Sequence, residues 1–164
     1  MQQEVKDVML MMADNLMVLG QRLGEWCGHG PVLEQDIALT NIALDLIGEA
    51  RGYYQYLAEI EGKNEDDYPM LRYERNFKNA LLVEQPNGNW ADTMMRQCIF
   101  DCYHYYQLEG MTESADPRLA AIAKKSIKEA AYHLSFSSEW VIRLGDGTEA
   151  VSYTHLTLPT SDLV

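Results

Sequence analysis

The sequence predicts an all-α fold, an antiparallel bundle of four long helices. Three observations carry this. Apolar residues recur every three or four positions through four long segments, a spacing that only a helix gathers onto one face. Clusters of glycine, proline, asparagine and acidic residues stand between those segments, and such clusters break helices and make turns. No stretch before Glu149 is a convincing strand.

The first helix is expected from Val5 to Trp26, with Val8, Met12, Leu16, Leu19, Leu23 and Trp26 on its stripe. "CGHGPVLEQ" ends it, and a second helix follows from Ile37 to Ile60. That helix is apolar on nearly every side and is therefore expected to be central. Its polar exceptions Asn41, Asp45 and Glu49 fall four apart and trace one line along it. "EGKNEDDYP" reads as a solvated loop, and a shorter helical piece is expected from Met70 to Val83, closed by "VEQPNGNW". The third long helix runs from about Asp92 to Glu113. The fourth opens at Asp116, an N-cap, with Pro117 in the first helical position. Its buried face is expected to be Leu119, Ile122, Ile127, Leu134, Val141 and Leu144, and Gly145 to Gly147 stop it. Beyond Glu149 the tail "VSYTHLTLPTSDLV" has β-branched residues and no helical stripe.

Composition excludes several functions. Thirteen basic against 25 acidic residues give a net charge of −12, which repels nucleic-acid phosphates and anionic lipid. No apolar run reaches the roughly 18 to 20 residues that cross a bilayer, and the N-terminal residues do not form an export signal. A cytoplasmic protein is expected, with no nucleic-acid or membrane partner. Cys27, Cys98 and Cys102 form no C-x-x-C pair and are expected to be reduced thiols, the latter two as small core residues.

The question with chemical content is whether the bundle holds metal. Bundles with two irons place Glu-x-x-His pairs on two helices and a Glu on each of two more. No Glu-x-x-His occurs: three residues after Glu25, Glu49, Glu109 and Glu129 stand Gly28, Gly52, Thr112 and Tyr132. What remains is Asp101 with His104 at a spacing of three and Glu129 with His133 at four. Those residues, completed by Asn41, Asp45 or Glu49, could form a mixed or single-metal site. The spacing favours the other reading, polar groups that satisfy one another inside the bundle, as buried charges must. No nucleophile elbow, phosphate-binding glycine loop or dinucleotide fingerprint is present. His29 beside Cys27 is too weak a pairing for a hydrolase. Tyr53, Tyr54, Tyr56, Tyr103, Tyr105 and Tyr106 read as core and interface residues, with an aromatic-substrate platform as the alternative.

Three stretches carry a resemblance. "LGQRLGEWCGHGPVLEQDIALTNIALDLIGEAR", "LLVEQPNGNWADTMMRQCIFD" and "KEAAYHLSFSSEWVIRLGDGTE" closely resemble the C-type structural subunits of bacterial phenylacetyl-CoA epoxidases. The likeness runs from about Asn15 to Glu149. It implies a ferritin-like antiparallel four-helix bundle, truncated at its C-terminal end, because members of that family are longer. It implies a multicomponent monooxygenase in phenylacetate degradation. A di-iron sister subunit binds the acyl-CoA, and a reductase with flavin and an iron–sulfur cluster draws electrons from NADPH to epoxidise the ring with oxygen. The C-type member is the non-catalytic scaffold, with no catalytic, cofactor-binding or metal residue of its own. Ala130 stands three before His133, where a ligand Glu would be wanted, so Glu129 is a neighbour.

From this follows an expected domain of residues 1–149 and a tail, 150–164, that resembles translated sequencing adapter. The expected interior is salt-bridged: Asp45, Glu49, Asp101 and Glu129 need positive or hydrogen-bonding partners, with Arg51, His104, His133 or Lys128 as candidates, beside Asn41. The rival expectation is a free-standing ferritin-like oxidase with ligands drawn from Asp45, Glu49, Asp101, His104 and His133. A coenzyme A ester binder is a third, but so acidic a chain shows no defined basic cluster.

Overall fold

The computed structural model describes residues 3–146; the tail from residue 150 therefore lies outside the described residues. Within them the fold is all-α, as predicted, and every regular element is a helix. The chain divides after Gln85 into two compact units, each built on a long helical hairpin of the kind that ferritin-like bundles use.

In the first unit, α1 (Gln3–Gly24) packs against α2 (Leu33–Glu61). The pairing is antiparallel: Gly20 lies against Ala43 and Ile47, Asp14 meets Tyr54, and Lys6 reaches Glu61. A Cβ at Gly20 would stand 2.8 Å from Ile47 Cγ1 and 3.1 Å from the Ala43 carbonyl oxygen, so glycine there lets the helices approach closely. Met12, Leu16, Leu19 and Leu23 are buried as the stripe predicts, but Val8 is exposed and Trp26 falls beyond the helix end. α2 begins at Leu33, before the predicted start, and ends on Gly62, whose φ of 65° is left-handed and whose amide bonds back to the Ala58 carbonyl. Leu33, Ile37 and Leu44 are exposed. Within this chain α2 therefore has a buried face and a bare one.

The expected helix from Met70 to Val83 does not form. The segment holds only the short α3 (Asp67–Met70), a 3-10 turn at Glu74–Asn76 and the single turn α4 (Leu81–Glu84). Side chains of α1 explain the difference: the amides of Lys78 and Ala80 donate to Asp14 Oδ2 and Asn15 Oδ1 at 2.8 and 2.7 Å. Backbone donors satisfied in this way are lost to a helical ladder.

The second unit is the hairpin of α5 (Trp90–Met111) and α6 (Pro117–Gly145). Asn89 caps α5 in a reciprocal capping box with Asp92, and Asp116 caps α6 with Pro117 behind it, as the sequence predicts. Leu108 near the end of α5 packs with Ala123 early in α6, and Trp90 meets Trp140 edge to face at 5.3 Å, so this pair is antiparallel too. The face of α6 is rotated from the expected one. Its buried residues are Leu119, Ala120, Ala123, Ser126, Ala130, His133 and Ser137, while Ile122, Ile127, Leu134, Val141 and Leu144 are half-buried. Small side chains line the contact and the branched ones flank it. Cys98 is half-buried while Cys27 and Cys102 are exposed, which corrects the expectation of two core thiols. Among the described residues no helix is long and apolar enough to cross a membrane.

Candidate functional site

Two buried polar centres stand out, one in each unit. In the second unit Asp101 is 1% exposed at the middle of α5. Gln97, one turn before it, donates from Nε2 to Asp101 Oδ1 at 2.7 Å, and Ser137 of α6 donates from Oγ to Oδ2 at 2.7 Å. The same Ser137 hydroxyl lies 3.0 Å from the His133 carbonyl. Burial pushes the Asp101 carboxyl up to about 7, against the opposing pull of the Ser137 and Gln97 hydrogen bonds and the nearby His104. His104 is buried and stacks on Phe100 at 5.5 Å, and His133 is buried with Tyr132 at its edge. The Cys98 thiol is pushed up by burial first and by Asp101 second.

The first unit holds a centre that the pattern of the sequence did not single out. Asp14 is fully buried on α1. It accepts hydrogen bonds from the Tyr54 hydroxyl at 2.7 Å, from Arg72 Nη1 at 3.0 Å, from Arg72 Nη2, and from the Lys78 amide. Arg72 also donates to the carbonyls of Tyr68 and Asn76 and lies over the Phe77 ring at 4.3 Å. Burial, then the Asp14 carboxylate, drives the Tyr54 hydroxyl far above its ordinary value. The signal was present in "MMADNLM", where two adjacent polar residues interrupt an apolar run, but their partners lie far along the chain.

The line on α2 behaves differently from expectation. Asn41 and Arg51 are exposed, and Asp45 and Glu49 are half-buried. Arg51 pairs with Glu65 at 2.8 Å on the surface, and Glu49 accepts from the Tyr53 hydroxyl at 3.3 Å. Glu129 is half-buried and Lys128 exposed. The expected polar interior is thus corrected at Asn41, Arg51 and Lys128, which are exposed. Asp101 takes hydrogen-bond donors from Gln97 and Ser137, and an ion pair outside the expected set joins Asp14 to Arg72.

Among the described residues no three or more His, Cys, Asp or Glu side chains gather as metal ligands. Within the described residues of the second unit Asp101 is the fully buried carboxylate, and its two oxygens accept hydrogen bonds from Gln97 and Ser137.

The chain is 56% identical over 141 residues to the C-type subunit of the 1,2-phenylacetyl-CoA epoxidase of Escherichia coli strain K12, a match covering 85% of this chain and 57% of that protein. It therefore spans a little more than half the length of that relative. Residues 1–153 match the family described as phenylacetic acid catabolic protein. With the helical hairpins already in view, that match over nearly the whole chain settles its place: it belongs to the phenylacetic acid catabolic protein family.

Proposed function

We propose that the chain is a non-catalytic structural subunit of a cytoplasmic, multicomponent phenylacetyl-CoA ring epoxidase in aerobic phenylacetate degradation. It scaffolds a di-iron sister subunit, which a reductase carrying flavin and an iron–sulfur cluster supplies with electrons from NADPH. The identity to a protein named as the C-type member of such an epoxidase supports the assignment to a complex. One structural observation supports the non-catalytic part: the buried carboxylate at the centre of α5 is held by Ser137 and Gln97. Burial disfavours the charged form of that carboxyl, whereas a carboxylate must be deprotonated to ligate a cation.

The scaffold role separates cleanly from the rival, a free-standing oxidase using Asp101, His104, His133 and Asp45 or Glu49. After anaerobic loading with ferrous iron and desalting, the chain is expected to retain only trace metal and to turn over no phenylacetyl-CoA alone. Added to the sister subunit and reductase, it is expected to raise epoxidation well above the rate without it. Stoichiometric iron in the chain, or full turnover in its absence, would refute the scaffold role.

A further inference from the structure

In a chain of net charge −12 the first half of α6 is positive. Four of the thirteen basic residues, Arg118, Lys124, Lys125 and Lys128, fall within eleven consecutive positions, and no Asp or Glu stands between Pro117 and Lys128. The overall acidity of the sequence conceals this cluster, and the register of α6 turns it outward. Ala123 and Ala130 are buried. Lys125 and Tyr132 stand two residues after them, about 200° round the helix. All four cations are exposed, and Tyr132, one turn after Lys128, is 52% exposed.

The protein itself does not answer these charges. Among the described residues Lys124, Lys125 and Lys128 make no ion pair. Their neighbours one turn away on the helix surface are one another, since Lys128 follows Lys124 by four positions and Lys125 by three, and like charges at that spacing weaken a helix. Asp116 spends its carboxylate on the amides of Arg118 and Leu119, and Glu129 is half-buried. In the second half of the same helix, by contrast, Glu139 and Arg143 balance each other at 3.4 Å.

We propose that the row from Arg118 to Lys128 is a landing surface for a transiently bound protein that presents a matching row of carboxylates. This rests on the subunit assignment above and goes beyond it by placing a contact and naming its chemistry. Within that assignment the occupant is the reductase, the component that binds and leaves with each delivery of electrons. Other anions fit less well. A nucleic acid is charged along its whole length and would meet the acidic remainder of the molecule. A small phosphate ester needs groups that converge on a concave site, whereas these side chains stand on the outside of one helix over about 15 Å. A second copy across a twofold axis brings cations against cations. A permanent subunit contact is centred on large apolar anchors and is poor in lysine. Weak electron-transfer contacts are small, and a charged row of this kind acts on the rate of association more than on affinity.

The test immobilises the 164-residue chain with its di-iron sister and follows arrival of the reductase at low and at high salt. Lys125→Glu with Lys128→Glu is expected to slow association at least tenfold at low salt and to flatten its salt dependence, with Lys125→Gln and Lys128→Gln in between. The far-ultraviolet helix signal and binding to the sister are expected to be unchanged. Carbodiimide coupling, which joins an amine to a carboxylate only where the two touch, is expected to link Lys124, Lys125 or Lys128 to the reductase. An association rate unaltered by the double reversal overturns the landing surface, and so does coupling of these lysines to the sister or to a second copy. Protection of the same lysines from acetylation by coenzyme A alone would assign the row to a phosphate ligand and also overturn it. In each of these cases a chain that still binds the sister and raises epoxidation leaves the subunit assignment standing. An unmutated chain that does neither overturns both.

Discussion

Asp14 and Asp101 are both buried carboxylates on central stretches of their helices, yet their partners put them in different chemical situations. Asp14 faces a guanidinium, a tyrosine hydroxyl and a backbone amide. Removing it by Asp14→Ala strands the Arg72 charge and two further donors, and a loss of about 3–5 kcal/mol is expected in urea unfolding. Replacing both members of the pair, by Asp14→Leu with Arg72→Met, is expected to cost less than the single change, because no orphaned charge remains. Asp101 takes its hydrogen bonds from neutral donors, and its folded value of about 7 lies above the ordinary 3.8. The folded state therefore binds this proton more tightly than the unfolded state does. Its contribution to stability is fully present below about pH 4 and is lost as pH rises to about 7. Asp101→Asn retains an acceptor for Gln97 and a donor for Ser137 without the charge. The variant is expected to lose that pH dependence and to be more stable than the parent at pH 8, on the order of a few kcal/mol, as measured by thermal melts from about pH 4 to 8. An unchanged profile in the variant would show that Asp101 is not the titrating group.

Among elements, the start of α6 was legible because capping is local chemistry, whereas the Asn89 cap of α5 was not singled out. Asp116 and Pro117 announce α6 within two residues, and the structure uses Asp116 Oδ1 to accept the amides of Arg118 and Leu119. Asn89 does the same for α5, accepting from Ala91 and Asp92. Asn89→Ala is expected to destabilise by about 1 kcal/mol in chemical denaturation. The buried face of α6 was legible only in period. Bulk pointed to the isoleucines and leucines, but the contact with α5 is made by Ala123 and Ala130 against Leu108. Ala123→Leu on this close contact is expected to destabilise by roughly 1–3 kcal/mol through overpacking, where an exposed alanine such as Ala121 should tolerate the same change. The segment from Met70 to Val83 departs from its expected helix for a related reason. Its leucines and aromatics suit a helix, and only Asp14 and Asn15, far away in sequence, show where its amides go.

For the molecule as a whole, the net charge of −12 and the absence of Glu-x-x-His are read directly from the sequence, and among the described residues no helix is long and apolar enough to cross a membrane. The class of fold, the presence of the four long helices and the cap of α6 were determined by sequence alone, because each depends on residues within a turn or two of one another. Which polar residues are interior was decided only by tertiary structure. Asn41 and Arg51 sit on an apolar-looking helix yet face water. Asp14 and Arg72, 58 positions apart, meet in an ion pair whose carboxylate is fully buried. Burial and pairing belong to the packing of whole helices against one another and against the loops between them.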